Sequence, residues 1–306
     1  MTTATAANTV VLHHYPTSPY AELVRLALGL KGLEYRSVTI PAILPKPDLV
    51  VLTGGYARTP VLQIGADVYC DTAAILDALE AFQPAPSLYP APLGSLHRML
   101  AGWAGGPQFL AHVGAAMGLL PPGALPQAFI DDRRARFGLD MAQLAKATPH
   151  LAAQALVGAT WLDTALADGR AFVGGEAPGH ADLNFYSNLW FVRERAAGSG
   201  TARAIAALPH LAAWYERVTA IGHGHPVEIS GADAIVVAHA AAPDRSEGVE
   251  PASGFTVGQS VKVRTDGSGD APVAGRLIRL GTRGIAVALD HVVVNFPPLG
   301  QTVLAA

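Results

Sequence analysis

Cysteine is almost missing: Cys70 is the one thiol in 306 residues. No internal disulfide can form, so packing alone holds the fold, and a reducing, cytoplasmic setting is expected. Long apolar runs are missing too. None reaches the roughly twenty residues that cross a bilayer, and residues 1–8 lack the basic stretch and apolar core of a secretory signal. Charge is scarce: charged residues are 15%, and 21 basic against 24 acidic side chains leave a net −3. That balance offers no attraction to nucleic acid or an anionic membrane, and neither is expected as a partner. What the chain has is aliphatic bulk. Hydrophobic residues make up 50% of it, enough for a large core, and its length fits two or three domains.

Histidine runs against this poverty, with eleven residues. The closest pairs, His13-His14 and His223-Gly224-His225, have no cysteine or carboxylate companions at zinc-like spacing, so no metal site is expected. His223 and His225 read as part of an exposed Gly/Pro-rich loop. Gly54-Gly55 and Gly174-Gly175 open neither a dinucleotide fingerprint nor a phosphate loop. Ser187 has no nucleophile-elbow context. Asp163 and Asp168 read as a solvated helix face.

The informative stretch is Ala57-Arg58-Thr59-Pro60-Val61-Leu62, followed by Asp67-Val68-Tyr69-Cys70-Asp71-Thr72. A proline belongs at a strand's first residue or edge, and a cis X-Pro bond there is a positioned feature. It would turn the Thr59 N–H and C=O outward, where an extended peptide can pair with them as an added strand. Asp71-Thr72 opens an apolar-periodic helix through Ala74, Ile75, Ala78, Leu79 and Phe82. Carboxylate, hydroxyl and free amides at a helix start suit a small zwitterion: the amides take its carboxylate and Asp71 its ammonium. Upstream, residues 9–14 read as a strand, and Pro16-Thr17-Ser18-Pro19 turns into a helix with Ser18 near the N-cap and Pro19 near N1. That helix closes at Lys31-Gly32, and a strand over residues 33–40 follows. Strand, helix, strand, loop, Pro-led strand, strand, helix is the order of a thioredoxin-like α/β unit.

On these motifs, residues 10–240 resemble the glutathione transferase superfamily: Tyr15-Pro16-Thr17-Ser18-Pro19-Tyr20 with Val24-Arg25-Leu26, Thr59-Pro60-Val61-Leu62, Asp71-Thr72-Ala73-Ala74-Ile75, then a helical second half. The resemblance implies that Thr59, before Pro60, pairs with the cysteinyl backbone of glutathione as co-substrate. It implies that Asp71 and Thr72 hold the γ-glutamyl end, that Arg58 assists the peptide, and that Ser18 activates the thiol as in serine-type classes. A thiol of pKa near 8.5 is mostly protonated at neutral pH, and a hydroxyl donor plus a helix N-terminus favours the thiolate nucleophile. Read without the resemblance, Ser18 is a plain N-cap. The strand-end tyrosine of other classes would fall at His14, and a helix-start cysteine at Ser18, so neither mechanism is expected; His14 or Tyr15 is left as a substrate contact. Cys70 reads as a small structural hydrophobe.

Pro84 to Pro90 forms a stiff linker. Helices are then predicted over 96–105, 107–119, 126–137, 141–147, 149–168, 181–197, 202–206, 209–219 and 231–241. Family members carry Ser or Thr three residues before Asp182 for a capping box; here Gly179 stands there, so Asp182 must satisfy that helix start alone. After a polar linker, strands over 259–265, 273–280, 284–289, 291–296 and 302–304 predict a small antiparallel β-barrel. Its basic residues Lys262, Arg264, Arg276, Arg279 and Arg283 exceed the acidic Asp266, Asp270 and Asp290 only slightly, and a structural or interface role is expected, with nucleic-acid binding by an SH3-like barrel the lesser alternative.

The expected fold is thus α/β plus all-α: a thioredoxin-like glutathione-binding domain at 1–90, an all-helical domain at 91–242 and a β-barrel at 252–306. The expected function is a transferase that adds the glutathione thiol to a small hydrophobic electrophile, with isomerising, dehalogenating or ether-cleaving variants sharing the first step. The family implies a homodimer. The alternative is a non-catalytic glutathione- or partner-binding protein on the same fold.

Overall fold

The computed structural model describes residues 6–121 and 123–306. Of the stretch 1–8 read against a secretory signal, residues 1–5 lie outside the described residues. The chain opens as expected: β1 (Val10–His14), α1 (Pro19–Leu30), β2 (Glu34–Thr39), α2 (Pro47–Thr53), β3 (Val61–Ile64), β4 (Asp67–Cys70) and α3 (Thr72–Phe82). β1 is central, parallel to β2 and antiparallel to β3, and β4 pairs antiparallel with β3. Alternation along a strand sends neighbours to opposite faces. Val10, Leu12 and Leu62 therefore enter a core with α1 and α3, while Val11 and Val61 enter a second core with Leu49 and Leu52 of α2. Helix α2 stands where the sequence predicted loop.

The helical half comprises α4 (Leu96–Trp103), α5 (Phe109–Met117), α6 (Gln127–Phe137), α7 (Met141–Leu166), α8 (His180–Ala196), α9 (Gly200–Ala206) and α10 (Pro209–Thr219). The break expected at Pro149 does not occur; α7 runs through it. Its two ends are anchored in separate cores, Leu144 and Leu151 beside α5 and Leu162 and Leu166 beside α1, and that burial outweighs the lost amide donor. Asp182 does satisfy the α8 start: Oδ2 accepts from the Gly179 amide at 3.0 Å, and Oδ1 from Val173 N and Trp214 Nε1, both at 2.8 Å. A Cβ on Gly179 would stand 2.4 Å from the buried His97 ring, so the capping hydroxyl has no room here.

The remainder is β5 (His225–Glu228), α11 (Gly231–His239), β6 (Gly248–Val249), β7 (Ser260–Thr265), β8 (Val273–Gly281), β9 (Gly284–Ala288), β10 (Val293–Phe296) and β11 (Gln301–Ala305). His225 lies in a strand, not the loop expected: β5 extends the sheet beyond β2 in parallel. The predicted closed barrel does not form. β10 pairs in parallel with β4, Val293 opposite Asp67 and Asn295 opposite Tyr69, so the C-terminal strands prolong the first sheet. The result is one open, mixed sheet of order β11-β7-β8-β9-β10-β4-β3-β1-β2-β5, with β6 beside β8. Unpaired strand edges are a liability, and each edge here found the other. The appended strands also curl over α2, since Val261, Val263, Val273 and Val294 share one core with Leu49, Leu52 and Tyr56. Helix α11 adds Ala234 and Ala238 to that core.

Deleting residues 248–306 strips this core and bares the β4 edge. The remainder should melt about 10 °C or more lower, or aggregate; calorimetry and size-exclusion chromatography check this, and an unchanged melting temperature and mass would contradict the shared core.

Candidate active site

Strand register brings the motifs together. His13 lies opposite Val61, and Val61 opposite Cys70. The loop after β1, the residues before β3 and the residues after β4 therefore share one end of the sheet. His14 opposite Thr39 puts the 40–46 loop there as well. Ser18, Arg58, Thr59, Pro60, Asp71 and Thr72 thus converge, with none of them in the interior of a strand.

Ser18 caps α1. It is 2% exposed, and its Oγ accepts from Ala21 N at 3.2 Å. Pro19 follows at the first helical position. The Thr59–Pro60 bond is cis. Among the described residues the Thr59 N–H and C=O form no hydrogen bond; its hydroxyl instead accepts from Lys46 Nζ at 2.8 Å. Asp71 caps α3 through Oδ1, 3.0 Å from Ala73 N. Its φ of 79° is the one positive value at a non-glycine residue among those described, and such strain marks functional sites. Burial pushes its carboxyl up, while the Ala73 amide and the Arg58 charge pull it down; the net shift is upward.

Buried histidines brace the floor. Arg25 donates from Nη1 to His14 Nδ1 at 3.0 Å, so His14 carries its proton on Nε2 and donates to Ser37 Oγ at 3.0 Å. Arg25 Nη2 also donates to Pro16 O at 3.0 Å and pairs with Glu22, holding the loop that bears Ser18. His223 meets the other Glu22 oxygen at 3.0 Å. Both ring nitrogens of His14 are thus engaged within the protein. Tyr15 is half-buried, its hydroxyl 3.5 Å from Arg133 Nη2. His13 faces the other way, to Gln63 Oε1 at 3.1 Å, while Gln63 Nε2 holds Ala234 O of α11. Cys70 is fully buried, and burial then Asp71 raise its thiol well above the usual range, as suits a structural hydrophobe.

A cationic wall closes the side toward α6, and the motif reading missed it. Lys46 donates to Ala57 O at 2.8 Å as well as to Thr59. Burial, then the Arg136 and Arg133 charges, lower its ammonium to about 8. Arg133 pairs with Asp132 and holds Ala42 O at 3.0 Å. Arg136 meets Asp270 at 2.5 Å, and Arg58 meets the same carboxylate at 3.4 Å. The visible signal was the run Asp131-Asp132-Arg133-Arg134-Ala135-Arg136 in a chain otherwise poor in charge; nothing local signalled Lys46 or Asp270.

A thioredoxin-like sheet with a free backbone segment before a cis-proline, a capped helix start beside it and a helical second half defines a class of thiol-peptide-handling proteins. The family models agree: the glutathione S-transferase N-terminal domain matches residues 12–87 and the C-terminal domain residues 145–217. The crystal structure of a glutathione S-transferase-like protein from Pseudomonas syringae is 34% identical over 98% of this chain and 100% of its own, with a TM-score of 0.78. The chain belongs to the glutathione S-transferase family. At 98% coverage that likeness includes the C-terminal strands. More distant structures share the fold over less of the chain. A tau-class transferase from mango is 23% identical over 69% of this chain and 89% of its own, TM-score 0.53. A β-etherase from Sphingobium is 18% identical over 69% and 95%, TM-score 0.52. No curated protein matches the sequence. Membership supports glutathione transferase-type activity in general, and among the described residues no helix is long and apolar enough to cross a membrane.

Burial, chiefly, lowers His13, His14 and His112 to about 4 and His180 to about 3. Each stays neutral in the fold while its unfolded counterpart takes a proton below about 6.5. The unfolded state then binds more protons, so stability present above pH ~6.5 is lost as pH falls toward ~4, on the order of 1–3 kcal/mol per histidine. Urea unfolding at pH 7, 6 and 5 measures the slope; equal stabilities would contradict it.

Proposed function

We propose that this site binds glutathione and that the protein is a transferase adding the peptide's thiol to an apolar electrophile. The observation that carries the reading is the Thr59 backbone, unbonded and at the same sheet end as the capped start of α3. An extended peptide pairs with Thr59 as an added strand, and its cysteinyl portion takes those two bonds. The γ-glutamyl end reaches Asp71 and Thr72, where the ammonium meets the carboxylate and the carboxylate meets the α3 amides. Arg58 supports the peptide with the guanidinium nitrogens it does not use on Asp270.

Ser18 is the catalytic group of this reading. Its hydroxyl accepts from Ala21 N and keeps its own proton for donation to sulfur. The thiol proton leaves to solvent, and the hydroxyl and the α1 amides stabilise the thiolate. The sulfur lone pair forms the new bond to carbon while the electron pair of the bond it displaces departs with the leaving group or, in an addition, moves to the neighbouring atom, which takes a proton from solvent. A homodimer accords with the apolar side chains that α4 and α7 leave exposed, Met99 and Trp161 foremost. The second reading, binding without turnover, draws on the same capping bond, because Ser18 serves the helix whether or not it serves sulfur.

Asp71→Ala should weaken glutathione binding about tenfold or more, since the ammonium loses a charged partner. Calorimetry measures it, and absence of wild-type binding at millimolar glutathione would remove the glutathione reading. Ser18→Ala should raise the pKa of the bound thiol and lower turnover about ten- to hundredfold, with affinity changed only a few fold. Thiolate absorbance followed against pH decides between the readings: an unchanged titration leaves Ser18 a helix cap and favours binding without catalysis.

A further inference from the structure

The connection between β7 and β8, residues 266–272, does not lie free on the surface. It is pressed against the C-terminal end of α6. Gly269 N donates to Arg136 O at 3.0 Å, and a Cβ on Gly269 would stand 2.6 Å from Ala135 O, so only glycine fits that approach. The next residue, Asp270, has its side chain 10% exposed. Arg136 donates to it from Nε at 2.5 Å and Nη2 at 3.3 Å, Ser268 Oγ at 2.8 Å and Arg58 Nε at 3.4 Å. Arg136 also faces Asp132 at 3.5 Å.

The consequence falls on Arg58. One edge of its guanidinium is held through Nε by Asp270, and its face lies over the Phe137 ring, 5.4 Å from the centroid. Its two terminal nitrogens make no hydrogen bond among the described residues, so both keep their donors for a ligand. Arg58 is the neighbour of Thr59, and its charge acts on Asp71. A long, flexible side chain is thus fixed beside the peptide-pairing segment by a carboxylate from the far end of the chain. Two-point holding of a guanidinium removes the rotamer freedom that otherwise opposes binding.

We propose that Asp270, supplied by the C-terminal strands, is a positioning residue of the glutathione site: it presets Arg58 and fastens α6 to the segment before Pro60. This rests on the glutathione reading above. It makes the β7–β8 connection a working part of the site, and the site incomplete without the appended strands.

Glutathione titration of the full chain by calorimetry tests it, with Asp270→Asn, Asp270→Glu, Arg58→Ala and the Arg58→Ala/Asp270→Asn pair, each checked by thermal melting. Asp270→Asn should weaken binding about five- to tenfold, and Asp270→Glu should recover more than half of that loss. In the Arg58→Ala background the Asn change should cost nothing further, because Asp270 acts through Arg58. Should Asp270→Asn fail to fold, Ser268→Ala, which removes one brace of the same carboxylate, carries the comparison, with about a two- to threefold loss absent from the Arg58→Ala background. Wild-type affinity in Asp270→Asn (or in Ser268→Ala, where that is used), losses that multiply in the double variant, or Glu no better than Asn would overturn the inference while leaving the glutathione reading standing. A wild type that binds no glutathione overturns both.

Discussion

The structure depends on one edge: β10 lying in parallel against β4, Val293 to Asn295 beside Asp67 to Tyr69. A five-stranded sheet ending at β4 leaves a row of unpaired amides and carbonyls, and six appended strands without closure leave another. Joined, they remove each other's edge. The joint also sets where the appended strands curl, because a continuous twisted sheet carries its neighbours over one face. Val261, Val263 and Val273 consequently meet α2 rather than solvent. The second core exists because of that meeting.

Charge follows from the same arrangement. In a chain with 15% charged residues, Lys46, Arg58, Arg133 and Arg136 gather, and among the described residues Asp132 is the one carboxylate from the first two-thirds of the sequence that forms an ion pair with any of them. Buried cations demand paired acceptors. Asp270 is the second carboxylate, and it arrives only because the sheet brings β7 and β8 around α2. Its own charge is secure: burial pushes its carboxyl up, but the Arg136 and Ser268 hydrogen bonds and the two arginine charges hold it below the ordinary range. The wall is thus a three-part structure, with α6, the segment before Pro60 and the appended strands each contributing one layer.

Legibility in the sequence followed the range of the signal. Pro60 before Val61-Leu62 and Asp71 before a helical period are local statements, and the sheet register merely placed them side by side. Helix α2 was hidden because Leu49-Val50-Val51-Leu52 is a continuous apolar run in seven residues, too short for a helical period to show. β5 is exposed along its whole length, so it carries no alternation to read, and its Gly and Pro neighbours look like loop. Pro149 read as a stop because propensity is local, whereas the two cores that hold α7 are not. The barrel was inferred from five short Val-rich strands. Strand count predicts a sheet but says nothing of which edge closes on which. Asp270 lies 212 positions from Arg58, and no spacing rule spans that distance.

The two helix caps at the site join fold and chemistry. A hydroxyl has one donor and two acceptor positions, and a carboxylate has two oxygens. Ser18 uses one acceptor position on Ala21 N, and Asp71 uses one oxygen on Ala73 N. What remains on Ser18 is its hydroxyl donor, at the positive end of α1. What remains on Asp71 is an oxygen, in a backbone conformation that side-chain capping alone does not require. Capping and ligand binding therefore do not compete for the same atoms. The cap fixes each side chain's rotamer, and on the glutathione reading proposed above that fixed rotamer would offer the spare donor and the spare acceptor to the peptide at no further cost in conformational entropy. A site built this way is ordered before anything binds, and the Arg25 network beneath the Ser18 loop orders it from the opposite side.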